Sequence, residues 1–331
     1  MHLQNLVLAG GGPLTLRFIG CIEYLEHMCM MQYFTTFVGT SAGAMIAVML
    51  VLGMRSVDMV RFIKDKFIKG KCHELDLAQV VDFAVTWGFD NGARIIAAVG
   101  DMISTVTGVA DISFIELAKH TGKILVVCVS NLTRGKHEFL SLETTPDMSV
   151  LTAIRMSMSI PVVFTPVRHN DMLYVDGGLY NNFPIDYCID QNKRRDTAHI
   201  DTLGLDISFA TPDHPVSLST VTEYFVSMMC SLISRSNMST HDFYRSSSSG
   251  EEQHAECGPH GAKVLASDGA LVVQFANANS SSSMFNFSVP DMCFDMSDQY
   301  IAESAAVGYA VMKHAARTVL LLPDDLQSPG V

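Results

Sequence analysis

At 331 residues, 48% of them hydrophobic and with a mean hydropathy of +0.25, the chain has ample apolar material for a large core. A formal net charge of −12 disfavours nucleic acid as a partner and argues against general attraction to an anionic membrane. The longest apolar run, residues 44–54, has about half of the roughly 20 residues that a membrane span requires, so it reads as a buried helix.

The N-terminus lacks the basic start and small-residue cleavage site of a secretory signal. It reads instead as a first strand over residues 3–9, ending in Gly10-Gly11-Gly12. A helix follows over 19–31. A short strand over 34–38 then runs into Gly39-Thr-Ser41-Ala-Gly43 and an apolar helix that ends at Leu52. Strand, turn and helix, twice over, is α/β patterning.

Residues 56–120 read as helical throughout, with Ser113-Phe-Ile-Glu116 as a capping box that opens the last helix. Within this stretch Arg61, Lys64, Lys66, Lys69 and Lys71 interleave with Phe62, Ile63, Phe67 and Ile68 at helical spacing. Such a segment is either a lipid-facing amphipathic helix or an ordinary surface helix whose apolar stripe enters the core. Strands are expected over 124–129 and 138–142, and a helix over 149–158 that Pro161 stops. Two extended pieces, 162–167 and 172–175, lead into Asp176-Gly177-Gly178.

A strand over 202–207, a helix over 218–234, a strand over 270–276 and a closing helix over 298–321 complete the pattern. Residues 234–283 carry the runs Ser246-Ser-Ser-Ser-Gly250 and Ser280-Ser-Ser-Ser283, which suit a mobile excursion. The eight cysteines are scattered singly in apolar contexts, as buried thiols of a reducing compartment would be.

Three elements carry chemistry. Gly39-x-Ser41-x-Gly43 lies between a strand and a helix, the setting of a nucleophile elbow. There the turn is too tight for flanking side chains, and the serine meets the positive end of a helix dipole. Gly10, Gly11 and Gly12 leave backbone N–H groups uncovered, suited to holding an oxyanion. A dinucleotide fingerprint would need glycine where Thr15 stands, and no Gly-Lys-Ser/Thr follows for a phosphate loop. Asp176, followed by Gly177 and Gly178, puts a carboxylate at a strand end. To act as a base it needs a desolvated pocket that raises its pKa from about 3.9.

Other candidates are weaker. His254-x-x-Cys257-x-x-His260 offers three ligands with no evident fourth, so no metal is expected. His199, His214 and His241 follow Asp176 in the order of a Ser–Asp–His triad, but Ser41 comes too early in the chain for that architecture. His120, His137 and His169 read as surface or satisfied core residues. The 20 methionines suit either an acyl-chain pocket or ordinary core filling.

Taken together, the glycine loop, Gly39-Thr-Ser-Ala-Gly43, Asn131-Leu-Thr-x-Gly-Lys136, the stretch from Thr145 to Pro161, and Val175-Asp-Gly-Gly-Leu-Tyr-Asn-Asn-Phe-Pro184 resemble the patatin-like phospholipases, with a flavour of large-DNA-virus members. The resemblance spans residues 3–186. It implies one α/β domain over 1–331, with a central, mostly parallel sheet flanked by helices and an elaborated part over 187–331. It also implies a Ser41–Asp176 dyad, an acyl-enzyme route, acyl-lipid substrates such as phospholipids, no cofactor, and a cytoplasmic protein that touches membranes peripherally and transiently.

One departure stands out. The family loop usually reads Gly-Gly-Gly-x-Arg/Lys-Gly, whereas here Leu14 replaces the basic residue, Thr15 the last glycine, and Arg17 is displaced. Losing an oxyanion donor typically costs about a hundredfold to a thousandfold in turnover. A catalytically weak or inactive lipid-binding protein is therefore the alternative expectation, unless Arg17 compensates from the next turn.

Overall fold

The computed structural model describes residues 3–68, 83, 85–195, 201–208, 228, 231–232, 255–256, 262–267, 270–276 and 297–318. In chain order the strands are β1 Asn5–Leu8, β2 Thr36–Thr40, β3 Gly88–Asp90, β4 Ile124–Asn131, β5 Lys136–Ser141, β6 Val162–Phe164, β7 Val167–His169, β8 Met172–Asp176, β9 Thr202–Ser208, β10 Ala255–Glu256, β11 Lys263–Ser267 and β12 Ala270–Ala276. The helices are α1 Leu16–His27, α2 Ala42–Val51, α3 Ser56–Ile63, α4 Ala93–Thr107, α5 Phe114–Thr121, α6 Val150–Ser157, α7 Ile185–Arg195 and α8 Asp298–Thr318.

The main sheet runs β10-β11-β12-β9-β1-β2-β4-β8-β7, with β5 also paired to β4. Its centre, from β12 through β9, β1 and β2 to β4, is parallel, and antiparallel strands flank it on both sides. The composition of the central strands explains this. Leu6-Val-Leu8, Leu125-Val-Val-Cys-Val129 and Leu271-Val-Val273 are continuous apolar runs, and all are buried. Strands covered on both faces by helices read this way. Helix α2 is apolar on every side and correspondingly buried along its whole length from Gly43.

Three strands meet β4, and their registers decide where the chemistry sits. β2 pairs with β4 up to Thr40 opposite Cys128, and β8 pairs with it from Asp176 opposite Val129. β5 overlaps both registers, so it occupies the other edge. β2 and β8 therefore share one edge of β4, approaching from opposite directions and ending at adjacent positions.

Among the described residues most expected elements recur with shifted ends. Strand 270–276 recurs with the ends expected, and so does the capping box of α5, where the Ser113 side chain and the Glu116 carboxylate satisfy each other's backbone. The expected helix over 218–234 lies almost wholly outside the described residues. Four expectations change. Residues 56–120 are interrupted by β3, because Trp87 adopts a left-handed conformation (φ 61°) and Gly88 lets the chain press against the backbone of Phe164 and Thr165. The extended piece 162–167 is split into β6 and β7. Helix α7, polar in composition, follows Pro184 where none was anticipated. The stretch 234–283 is not simply a mobile excursion, since β11 and β12 belong to the main sheet and bury Val264, Leu271, Val273 and Phe275.

The basic segment is an ordinary surface helix as far as it is described. Met59 is buried, Phe62 packs on the core, and Arg61, Lys64 and Lys66 pair with Asp58, Asp298 and Asp101. Lys69 and Lys71 lie outside the described residues, as do His199, His214, His241, His254, Cys257 and His260. Among the described residues, no helix is long and apolar enough to cross a membrane.

Candidate active site

Ser41 sits between β2 and α2 at φ 54°, ψ −124°, a strained conformation for a residue with a side chain. The flanking glycines make this turn possible. A Cβ on Gly39 would overlap the backbone of Gly43 and Ala44, and one on Gly43 would overlap the carbonyls of Leu8 and Ala9. The Ser41 N–H donates to Ser157 Oγ at 2.9 Å, and the Ser157 hydroxyl donates to the Cys128 carbonyl at 2.7 Å. That pair ties the strained turn to β4. The Ala44 and Met45 N–H groups bond back to the Ser41 carbonyl, which leaves the first N–H groups of α2 pointing toward the serine end.

Asp176 ends β8 and is 3% exposed; Ser41 is 7% exposed. The Ser41 hydroxyl donates to Asp176 Oδ2 at 2.5 Å, and Gly178 N–H donates to Oδ1 at 2.8 Å. The Asp176 N–H is held by the Ser159 carbonyl at 2.9 Å. Burial pushes the Asp176 carboxyl up from 3.8 to about 7, against the opposing pull of the bonds from Ser41 and Gly178. Gly177 is required by close approach, because a Cβ there would strike the Cys128 carbonyl. Among the described residues, no histidine bonds to either member of the pair. Also among them, no cluster of three or more metal-ligating side chains occurs.

The glycine loop lies alongside. Gly10 N–H is already donated to the Asn182 carbonyl at 3.0 Å, and Asn182 Nδ2 returns a bond to the Gly10 carbonyl at 3.0 Å. Among the described residues, no acceptor takes the Gly11 and Gly12 N–H groups. The atypical residues that follow are absorbed locally. Pro13 and Leu14 continue a 3-10 turn from Gly12 (φ 52°), Leu14 N–H bonds to the Gly11 carbonyl, and Leu14 is buried. Thr15 is also buried and donates to the Gly12 carbonyl at 2.7 Å as α1 begins. Arg17 lies beside Tyr300 of α8, which packs on α1, and does not line the cleft that Ser41 opens on.

That cleft encloses about 1050 Å³, part of it open to solvent. Leu16, Met45, Ile46, Ile63, Ile95 and Phe164 give it apolar walls, with Arg94 and Asp90 the charged side chains of its lining. Arg155 braces the far side. Its guanidinium donates to the carbonyls of Asn91 and Thr165 and to the Ser159 hydroxyl, so the residue that holds Asp176 N–H is joined to the cleft rim. The arrangement can pass the Ser41 proton to Asp176 beside an apolar slot, with uncommitted backbone donors nearby.

Residues 6–189 match the patatin-like phospholipase family. The chain belongs to that family. Among curated proteins it is 29% identical over 194 residues to the protein named Probable lipid hydrolase 463L of Invertebrate iridescent virus 6, covering 59% of this chain and 66% of that one. An uncharacterized protein of Acanthamoeba polyphaga mimivirus is 27% identical over 197 residues, covering 56% and 61%. The chain thus spans less than two thirds of the length of these viral relatives. Two solved structures share the patatin-like fold at a TM-score of 0.51. VipD from Legionella pneumophila is 16% identical, with 96% of this chain and 67% of that one covered. Human GIVD cytosolic phospholipase A2 is 9% identical, with 97% and 59% covered.

Both predicted dyad residues and all the predicted glycines of this patatin-like chain converge on one place. The supporting roles of Ser157, Asn182 and Arg155 escaped sequence reading. All three stand within the motifs that carry the family resemblance, which is the signal that could have singled them out.

Proposed function

We propose that this chain is a lipid acyl hydrolase of the phospholipase A type that works through Ser41, Asp176 and an acyl-enzyme intermediate. The observation that carries the reading is the 2.5 Å bond from the Ser41 hydroxyl to a buried carboxylate whose acidity is shifted to about 7, beside an apolar cleft. The lipid-hydrolase name of the iridescent virus relative points the same way.

In this mechanism Ser41 Oγ attacks the ester carbonyl carbon while its proton passes to Asp176. The carbonyl oxygen becomes an oxyanion held by the Gly11 and Gly12 N–H groups, with Ala42 N–H at the start of α2 as a further donor. Gly10 drops out of that set because its N–H is bonded to Asn182. Asp176 returns the proton to the departing lysolipid or alcohol. Water, deprotonated by Asp176, then attacks the acyl-serine, releasing fatty acid and restoring the Ser41 hydroxyl. Leu14 is buried away from the cleft lining. Thr15, which lines the cleft, has its hydroxyl engaged by the Gly12 carbonyl and takes neither the Gly11 nor the Gly12 N–H.

The test is fatty-acid release from phosphatidylcholine vesicles in chelator, with Ser41→Ala and Asp176→Asn each expected to reduce turnover by about a thousandfold or more. A fluorophosphonate should label the wild type at Ser41. Undiminished release by Ser41→Ala overturns the reading. Vesicle binding with neither release nor labelling would mark a lipid-binding protein without catalysis.

A further inference from the structure

The rim of the cleft carries apolar surface that hydrolysis does not use. Trp87, the sole tryptophan of the chain, is 47% exposed, Val85 80% and Ile96 41%. They lie on one continuous stretch. Trp87 leads into β3, β3 ends at Asp90 on the cleft lining, and α4 begins with Arg94 and Ile95 on that lining and Ile96 exposed beside them.

The backbone holds this stretch under strain. Trp87 (φ 61°) and Val162 (φ 74°), which pairs with Gly88, both occupy the left-handed region that bulky and β-branched side chains avoid. Strain of this kind persists where the surroundings fix it, and here it fixes a large exposed aromatic just before the strand that ends on the cleft lining at Asp90.

The charges of the rim also differ from those elsewhere. Arg168 of β7 stacks on the Trp87 ring, 5.0 Å from its centroid, and is exposed. Among the described residues, neither Arg168 nor Arg94 has a carboxylate within ion-pair distance, whereas Arg61, Lys64 and Lys66 are all paired. Two acids are nearby. Asp90 accepts the Gly92 N–H at 2.6 Å and faces the buried Arg155, so its charge is answered locally. Asp171 is exposed at the β7–β8 turn beyond Arg168.

We propose that the rim formed by Trp87, Ile96, Arg94 and Arg168 docks on a phospholipid bilayer. Trp87 lies at the headgroup level and the two guanidinium groups meet lipid phosphates, so the cleft opens onto the membrane. An indole flanked by arginine suits that interface, apolar on one side and phosphate-rich on the other. With a net charge of −12 the whole molecule gains nothing from general electrostatic attraction, and adhesion falls to this local patch. The inference rests on the lipid reading of the cleft, but docking and hydrolysis are measured separately.

Trp87 is its own reporter, because no other tryptophan contributes to the emission. Ser41→Ala protein, which leaves the lipid intact, is titrated with phosphatidylcholine vesicles while fluorescence and cosedimentation are followed. The expected result is a blue shift with binding. Trp87→Ala and Ile96→Asp, made in the otherwise wild-type chain, are each expected to weaken cosedimentation by about tenfold. Both residues lie outside the cleft lining, so cleavage of a water-soluble short-chain ester should stay at the wild-type rate. Unchanged emission in the presence of vesicles, or full binding by both variants, overturns the proposal. A blue shift that follows protein concentration without vesicles, together with dimers in sedimentation, would assign the patch to a second copy and overturn it too. Loss of ester cleavage with docking intact counts against the catalytic reading alone.

Discussion

An aspartate of ordinary acidity, near 3.8, is almost fully ionised at neutral pH and a weak base for a serine proton. Burial brings Asp176 to about 7, close to working pH, while the bonds from Ser41 and Gly178 limit the rise. Turnover on a soluble ester should therefore climb as pH passes through about 7 and then level off; a flat profile from pH 5 to 9 would contradict the assignment. The same shift has a stability sign. Between 3.8 and 7 the folded chain keeps a proton that the unfolded chain has lost, so the contribution of Asp176 to stability falls as pH rises. Above 7 the buried charge costs on the order of 4 kcal/mol. Asp176→Asn should abolish turnover and raise Tm relative to wild type at pH 8, with little difference at pH 4, as calorimetry at both values would read. Ser41 and Asp176 were legible in sequence because each stands in a glycine-marked turn. Ser157 was not, since a serine gives no local sign that its hydroxyl bridges Ser41 N–H and the Cys128 carbonyl.

Two loops must stay in register for the proposed oxyanion donors to face the serine. Asn182 joins them, bonding through its carbonyl and side chain to both backbone groups of Gly10. Asn182→Ala keeps the backbone bond, loses the side-chain bond and leaves a buried carbonyl unpaired, a loss of about 1–3 kcal/mol. The expected outcome is lower kcat with the Ser41–fluorophosphonate adduct forming more slowly, while KM for a soluble ester changes little. Equal labelling rates would show that the clamp is dispensable. At this scale the sequence spoke clearly where turn chemistry is local: the elbow, the capping box and the stop before Pro161 all follow from residue type. It misled where tertiary contact decides. Thr15 read as a missing glycine, yet its hydroxyl closes the turn it appeared to spoil, and Gly88 starts a strand inside a stretch that reads as helical in sequence because it presses on Thr165.

Across the whole molecule, the parallel centre of the sheet was foreshadowed by apolar strands alternating with helices, but the strand order was not. Nothing local announces that β12 lies beside β9, or that the serine-rich region delivers Val264 and Phe275 to the core. Pairing partners across such distances are set by which apolar edges remain uncovered once nearer strands have joined. The shared edge of β4 also carries a consequence in time. Ser41 and Asp176 are 135 positions apart and meet only when two strands, arriving from opposite ends, have both found their register on that edge. A slip of one position turns a side chain to the other face, so a partly assembled sheet has no pair at all. Long-range pairing forms late, because loop closure precedes the contacts that reward it. During refolding, regain of esterase activity should therefore trail the far-ultraviolet circular dichroism signal, and simultaneous recovery would count against this order. In the proposed mechanism, the pair of side chains that carries the chemistry is thus also the molecule's own gauge of having finished folding.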